Sequence, residues 1–451
     1  MSDLNLKRHN RRTFLKYAGA SALALSVSSL GPWVQAQGPI LIGMANPLST
    51  FFGEAAEKAL RLGISQINAG GGMMGRPLDL IVSDSAGRAD QAGLAIQDLS
   101  NRGAQFLTGL FFSEELVGTI PTIPVVRKIF LGTGASTPAA TIQTSRDYNN
   151  YKFFFRVGPI NSYLILQAAV TFARGFLEGG LKWNSIVLFA EDAAWTKAIT
   201  DGFPTLLAAF GSKLQVADTI RYAEDTTDFT SLYSRAVNAM QGRVGGLFTV
   251  MAHTGTRPTA QWATQRVPLP YVGINVQAQD GRFDQLTQGA AESVVTLTTG
   301  AKAPITGKTV PFVDAFESFS FKPEVAVPSY NAFSSYDALL MLKEAVEKAG
   351  VLPDNEANTD LIIQQLEQFG VRGPDGKPGN LFEGTTGKLG FYERGEKPVT
   401  PLAADQDFPH DVRYGSGLAE GLWIQYQGGE QKVIFPPNLA TAGFVLPPWL
   451  R

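Results

Sequence analysis

The chain has 451 residues, 38 Lys+Arg against 40 Asp+Glu, three histidines and no cysteine. A formal charge of −2 leaves no basic field for nucleic acid, and three histidines argue against a histidine-rich metal site. The absence of cysteine excludes disulfides, thiolate metal sites, cysteine nucleophiles and a lipid-bearing N-terminal cysteine. With 44% hydrophobic and 17% charged residues the composition is that of a well-buried globular protein, and the length favours two domains.

The first residues read as a leader. Asn10-Arg11-Arg12-Thr13-Phe14-Leu15-Lys16 precedes an apolar run over 18–30, and Val34-Gln35-Ala36 offers small residues for a peptidase. Paired arginines, a short apolar segment and a small-residue exit predict a twin-arginine signal peptide cleaved near Ala36. The run is about 13 residues and carries Ser21, Ser26, Ser28 and Ser29, whereas a membrane span needs roughly 20. Removing residues 1–36 leaves 415 residues with 33 basic and 39 acidic side chains, a net charge of −6. A freely diffusing protein is expected, in the periplasm of a Gram-negative cell or outside the cell otherwise, exported through the twin-arginine translocase.

Beyond the leader, short apolar runs alternate with amphipathic helices. Strands are predicted at 39–46, 78–83 and 105–109, with helices at 53–69 and 90–101, and Gly70-Gly71-Gly72 stops the first helix. A second series runs through a helix at 160–177, a strand at 185–190 and a helix at 195–210. It continues with strands at 213–222, 246–251 and 271–275 around helices at 228–240 and 255–266. A strand at 294–299 is followed by helices at 311–321, 329–349 and 358–369. Then come a glycine-rich hairpin-like stretch at 388–392, a hairpin over 423–435 and a proline-marked surface tail. This alternation implies parallel sheets with right-handed crossovers.

Searches for chemistry return little. Gly70–Gly75 follows a helix, where a phosphate loop would follow a strand. Gly132-Thr133-Gly134 lacks the third glycine of a dinucleotide fingerprint. There is no Gly-x-Ser-x-Gly elbow and no His-Glu-x-x-His, and nothing pairs His253 or His410 with a nucleophile. No catalytic residue, metal site or cofactor is expected.

One ordered set of motifs carries a resemblance. Ala45-Asn46-Pro47-Leu48, Phe52-Gly53, Ile67-Asn68-Ala69-Gly70-Gly71-Gly72 and Gly75-Arg76-Pro77-Leu78 open it. Asp84, Gly109-Leu110-Phe111-Phe112-Ser113, Gly134-Ala135-Ser136-Thr137-Pro138 and Phe155-Arg156-Val157-Gly158-Pro159 continue it. The chain resembles the leucine/isoleucine/valine-binding type I periplasmic solute-binding proteins over essentially all of 37–451, most densely at the start. The resemblance implies an α/β fold of two doubly wound parallel-sheet lobes joined by a three-strand hinge. Lobe 1 would span 37–157 plus 299–384, and lobe 2 would span 158–298 plus 385–451. It also implies a ligand cleft between the lobes. Ser113 and Ser136 would offer hydroxyl and N–H groups to a carboxylate, Gly134 and Ala135 main-chain groups, and Phe52, Phe112, Trp195 and Tyr336 aromatic walls.

Two departures stand out. Asn275 falls where amino-acid binders of the family carry a glutamate for the ligand ammonium, and leaving a buried ammonium unpaired costs roughly 3–5 kcal/mol. Glu114 and Glu115 follow Ser113, where the family usually has small polar residues: as first-turn acids they suit the helix dipole and face solvent, or Glu114 enters the cleft, where it would replace the missing ammonium partner or disfavour an anionic ligand. The resemblance implies the extracytoplasmic solute receptor of an ABC importer, docking on an inner-membrane permease. It would bind a small amino acid or a related organic acid or amide. A sensory module presenting a solute to a membrane receptor is the alternative.

Overall fold

The computed structural model describes residues 38–158, 160–397, 403 and 405–451. The leader with its twin arginines, Ala36 and Pro159 lies outside the described residues. In chain order the first elements are β1 (Ile40–Asn46), α1 (Phe51–Ala69), β2 (Leu78–Asp84), α2 (Ala89–Asn101), β3 (Phe106–Gly109) and α3 (Ser113–Thr119). They are followed by α4 (Ile123–Val126), β4 (Phe130–Gly132), α5 (Ala139–Arg146), α6 (Tyr148–Tyr151) and β5 (Phe154–Arg156). These five strands form one wholly parallel sheet in the order β2-β1-β3-β4-β5.

The second series comprises α7 (Ser162–Phe172), β6 (Ser185–Glu191), α8 (Ala194–Ala209), β7 (Gln215–Tyr222), α9 (Thr230–Ala239), β8 (Gly245–Met251), α10 (Thr256–Thr264) and β9 (Tyr271–Asn275). Its four strands are also parallel, in the order β7-β6-β8-β9. In both sheets the strand order reverses beside the first strand. A crevice therefore opens beyond the carboxyl ends of β1 and β3 in one sheet and of β6 and β8 in the other, where doubly wound folds bind ligands.

The remaining elements are α11 (Phe283–Leu286), β10 (Val295–Thr298), α12 (Thr309–Ser318), α13 (Tyr330–Ala349), α14 (Glu356–Glu367), β11 (Phe382–Glu383), β12 (Lys388–Leu389), β13 (Leu422–Gln427) and β14 (Glu430–Phe435). After β10 the chain returns to the first sheet and lays α12 and α13 against α1. A Cβ at Gly63 would stand 2.9 Å from Leu339 Cδ2, so glycine sets how closely α1 and α13 cross. β13 and β14 pair antiparallel with each other, and β13 with β10.

Local chemistry explains the boundaries. Thr50 Oγ1 caps α1 by accepting from Gly53 N at 3.2 Å. Gly71 and Gly72 leave α1 at φ +99° and +83°, and a Cβ at Gly72 would fall 2.0 Å from Arg76 O. Asn68 then acts as a rung to β2: its Nδ2 donates to Leu78 O at 2.9 Å and its Oδ1 accepts from Leu78 N at 2.7 Å. The last long helix starts earlier than the Asn358 signal suggests, because Asn355 Oδ1 caps it through Asn358 N at 2.9 Å.

One region departs from the sequence expectation. Residues 385–413, expected with the second lobe, run first beside β5: Arg156 N donates to His410 O at 2.8 Å and the Phe391 ring lies 5.0 Å from Phe155. Only from Leu422 does the chain join β10. The proline-marked tail is anchored as well. Trp449 Nε1 donates to Val267 O at 2.9 Å, and its ring lies 4.7 Å from Trp262.

Buried acids tie these returning segments down. Arg156 and Asp411, both fully buried, form an ion pair at 2.9 Å, and Asp411 Oδ2 also accepts from Asn161 and Thr141. Asp337 on α13 accepts from Thr385 N at 2.8 Å and Thr385 Oγ1 at 2.9 Å. Burial pushes the Asp337 carboxyl up from 3.8 to about 6, against the pull of Thr385 and Thr386. Between those two values the folded protein holds the proton more tightly than the unfolded chain. Stability from this group is therefore full below about pH 4 and is lost as pH rises through about 6, a change of about 3 kcal/mol. Urea unfolding across pH 4–7 should show this decline, and Asp337→Asn should flatten part of it. Glu115, Glu191 and Asp411, which burial also raises, supply the same sign and remain in the variant.

Candidate ligand cleft

Residues just beyond the strand ends converge on a cavity of about 60 Å³ between the two sheets. From the first sheet come Phe111, Phe112 and Ser113 after β3, and Gly134 and Ser136 after β4. From the second come Trp195 at the start of α8, Ala252 and His253 after β8, and Ile274 and Val276 around the end of β9. Leu297 and Thr298 of β10, Gln279, and Tyr330 at the start of α13 complete the wall opposite.

A buried glutamate organises each rim. Glu115 Oε2 accepts from Phe111 N at 3.0 Å and Phe112 N at 2.8 Å, while Oε1 takes the Ser85 hydroxyl. The carboxylate thus fastens the end of β3 to the end of β2. Glu191 accepts from Ala252 N at 2.7 Å, His253 N at 2.9 Å and Thr254 N at 3.1 Å, and from Trp195 Nε1 at 3.2 Å. Burial raises both carboxyls above the ordinary range, opposed by these donors and, for Glu191, by His253.

The loop after β4 is held from behind. Arg156 donates to Ala135 O and Thr137 O, and Tyr330 Oη donates to Gly134 O at 2.8 Å. Ser113 Oγ accepts from Thr137 N at 3.2 Å, which joins the loops after β3 and β4. Ser162 Oγ reaches Ser136 Oγ at 3.5 Å. The main-chain N–H groups of Gly134 and Ser136 are not taken up by any acceptor among the described residues, so both remain available as donors at the cavity.

Four side chains cross from one sheet's elements to the other's. The Phe112 ring meets His253 edge to face at 4.6 Å. Glu114 Oε1 accepts from Ala194 N at the start of α8 at 3.3 Å, so this residue enters the cleft and spans it, with Oε2 buried and unpartnered among the described residues. Arg282 lies 3.7 Å from Glu54, and Gln279 Oε1 accepts from Tyr330 N at 2.9 Å. Burial alone would lower the His253 pKa, but Glu191, a 2.9 Å contact with Glu224 and the nearby Glu114 outweigh it and hold the imidazole above its ordinary value.

The sequence-derived residues divide cleanly. Phe112, Ser113, Gly134, Ser136 and Trp195 line the cavity. Ala135 is buried behind it and contributes the carbonyl that Arg156 holds. Phe52 stacks on Phe111 at 3.9 Å and faces a neighbouring compartment. Asn275 and Tyr336 stand away. Ile274 and Val276 face the cavity, so the strand's two-residue alternation turns Asn275 to the other side. There its Nδ2 contacts Thr259 Oγ1 at 3.1 Å, and a Cβ at Gly255 would fall 1.9 Å from Oδ1. Tyr336 packs on Phe312 at 4.5 Å and donates to Gln66. Sequence reasoning missed Phe111, His253, Gln279 and Tyr330. His253 was within reach, because it stands just past the end of a buried parallel strand. His410 is buried against Phe155 at 3.9 Å, far along the chain from any cavity residue.

Comparison with known proteins agrees with this architecture. A profile of the periplasmic binding protein family matches residues 39–391, and the chain belongs to that family. It is therefore an extracytoplasmic binding protein and not an enzyme. It is 23% identical over 389 residues to the leucine-, isoleucine-, valine-, threonine- and alanine-binding protein of Pseudomonas aeruginosa, covering 83% of this chain and 91% of that one. Among solved structures, LivJ of Streptococcus pneumoniae in complex with isoleucine superimposes with a TM-score of 0.67 at 16% identity, covering 88% of this chain and 100% of that one. A solute-binding protein of Rhodopseudomonas palustris BisB5 in complex with 3,4-dihydroxybenzoic acid gives 0.65 at 17% identity, covering 87% and 95%.

Two substitutions test the geometry. Glu191→Ala strands several buried donors, each at a cost of about 1–3 kcal/mol, so urea unfolding should show a loss above about 3 kcal/mol together with an altered near-UV tryptophan signal. Asn275→Glu should lower the melting temperature and bring no gain in leucine binding by calorimetry, since the added carboxylate is aimed at Thr259 and not at the cavity.

Proposed function

We propose that the protein is the solute receptor of an ABC importer and that its ligand is a small organic acid with an apolar body and no ammonium group. The observation that carries this reading is the cavity lining: Ser113, Ser136 and the main-chain donors of Gly134 and Ser136 sit at one wall, apolar and aromatic groups fill most of the rest, and no Asp or Glu is among the lining residues, Glu114 crossing the cleft outside them. A carboxylate meets N–H and hydroxyl donors there; an ammonium finds only neutral oxygens and no carboxylate in the lining. Two lobes, one built on the β2-β1-β3-β4-β5 sheet with 385–413 packed beside β5 and one built on the β7-β6-β8-β9 sheet, would close over the solute about three crossings, and a membrane permease would read the closed form. Export by the twin-arginine route, with cleavage near Ala36, supplies the protein to that compartment.

The sharpest test is a matched pair, leucine against 4-methylpentanoate, which differ by the amino group. Calorimetry should give at least a hundredfold preference for 4-methylpentanoate, the equivalent of an unpaired buried ammonium. Benzoate should raise the melting temperature as well, a hundredfold excess over Kd adding about 2.7 kcal/mol. Equal or tighter binding of leucine would overturn the assignment.

A further inference from the structure

The cleft continues past the cavity just described. A second compartment of about 360 Å³ adjoins it, lined by Phe51 and Phe52 but also by Thr50, Thr256, Gln277, Asp280 and Arg282. The two compartments share three residues, Phe112, Ala252 and His253. Ala252 contributes only a methyl group, so the bulk standing between the compartments belongs to the two rings. These come from opposite sheets and meet at 4.6 Å with their planes at 89°, an attractive edge-to-face arrangement.

The rings are not equally held. His253 is fixed by its main-chain bond to Glu191 and by Glu224, 2.9 Å from Nδ1. The Phe112 ring is fixed only by packing, edge to face on Phe111 at 4.9 Å and over Gly87, where a Cβ would come within 3.2 Å of it. Phe112 is therefore the leaf that can turn while His253 remains the post.

We propose that the Phe112–His253 ring pair is a partition that sets the length of ligand the cleft accepts: short acids fit wholly in the apolar inner compartment, and acids with a longer body carrying a polar far end enter the outer compartment only when the Phe112 ring is displaced. This assigns the outer compartment as a second subsite for hydroxyl- or amide-bearing tails, and it rests on the organic-acid reading above only for the identity of the anchored end.

The test is a ligand series, the straight-chain carboxylates from butanoate to decanoate and the matching primary amides, titrated by calorimetry into the mature protein, Phe112→Ala and His253→Ala. In the wild type, affinity should rise with each methylene and then fall at least tenfold beyond one length. Either variant should remove that fall, changing the ratio of long to short affinities at least tenfold. Phe112→Leu provides the same reading should the alanine variant fail to fold. A wild-type series that rises without a break overturns the partition, as does a break that persists in the variants. If amides show the break and its relief while carboxylates do not bind, the partition stands and the organic-acid reading falls. If neither series binds any of the proteins, both fall.

Discussion

A parallel sheet leaves its strand ends short of partners: beyond the last rung the main-chain N–H groups point outward with nothing in the sheet to accept them. In this protein two buried carboxylates supply what the sheets lack. Glu115 gathers Phe111, Phe112 and Ser85; Glu191 gathers Ala252, His253, Thr254 and Trp195. Burying a carboxylate is costly, and the upward pull on both groups reflects that cost, but several short donors converging on one anion offset it. The side chains that face the cavity from either rim hang on these two anions, so the shape of the cleft is in large part an electrostatic construction.

The wall opposite is set by the first turn of α13. Tyr330 reaches Gly134 through its hydroxyl and Gln279 through its N–H, and Asn331 Nδ2 donates to Phe52 O at 2.8 Å. Arg156 completes the frame from beneath, holding the Ala135 and Thr137 carbonyls while Asp411 balances its charge. The same loop is thus gripped by a helix, a strand and a returning segment, which leaves the N–H groups of Gly134 and Ser136 available to a ligand.

Much of this architecture was legible in the residues. Buried parallel strands read as short apolar runs, and Gly70–Gly72 marked a helix end that the structure reproduces, with Gly71 and Gly72 at positive φ. Short elements such as α3, α5 and α6 escaped because four to eight residues are too few to display a period. Site residues next to strand ends were found wherever position alone decided the matter, as for Ser113, Ser136 and Trp195. They were missed where side-chain direction decided. Asn275 differs from its neighbours Ile274 and Val276 only in which face it takes. On α13 six residues separate Tyr330, which faces the cavity, from Tyr336, which faces α12, because the helix has turned well past a full revolution between them. The rim carboxylates were invisible for another reason: a glutamate in the first turn of a helix or at the end of a strand looks like a solvated residue until the donors around it are known.

The packing around Asn275 bears on how this cleft could change its preference over mutational time. Its amide is wedged beneath Gly255 and against Thr259, so a larger or charged side chain at 275 is strained against both, and any side chain at 255 would collide with the amide. The three positions are epistatic, and a single-step route to an ammonium-binding carboxylate at 275 is closed. Drift in ligand choice is channelled to the apolar walls such as Leu297 and Ile274, so that size and shape diversify sooner than charge.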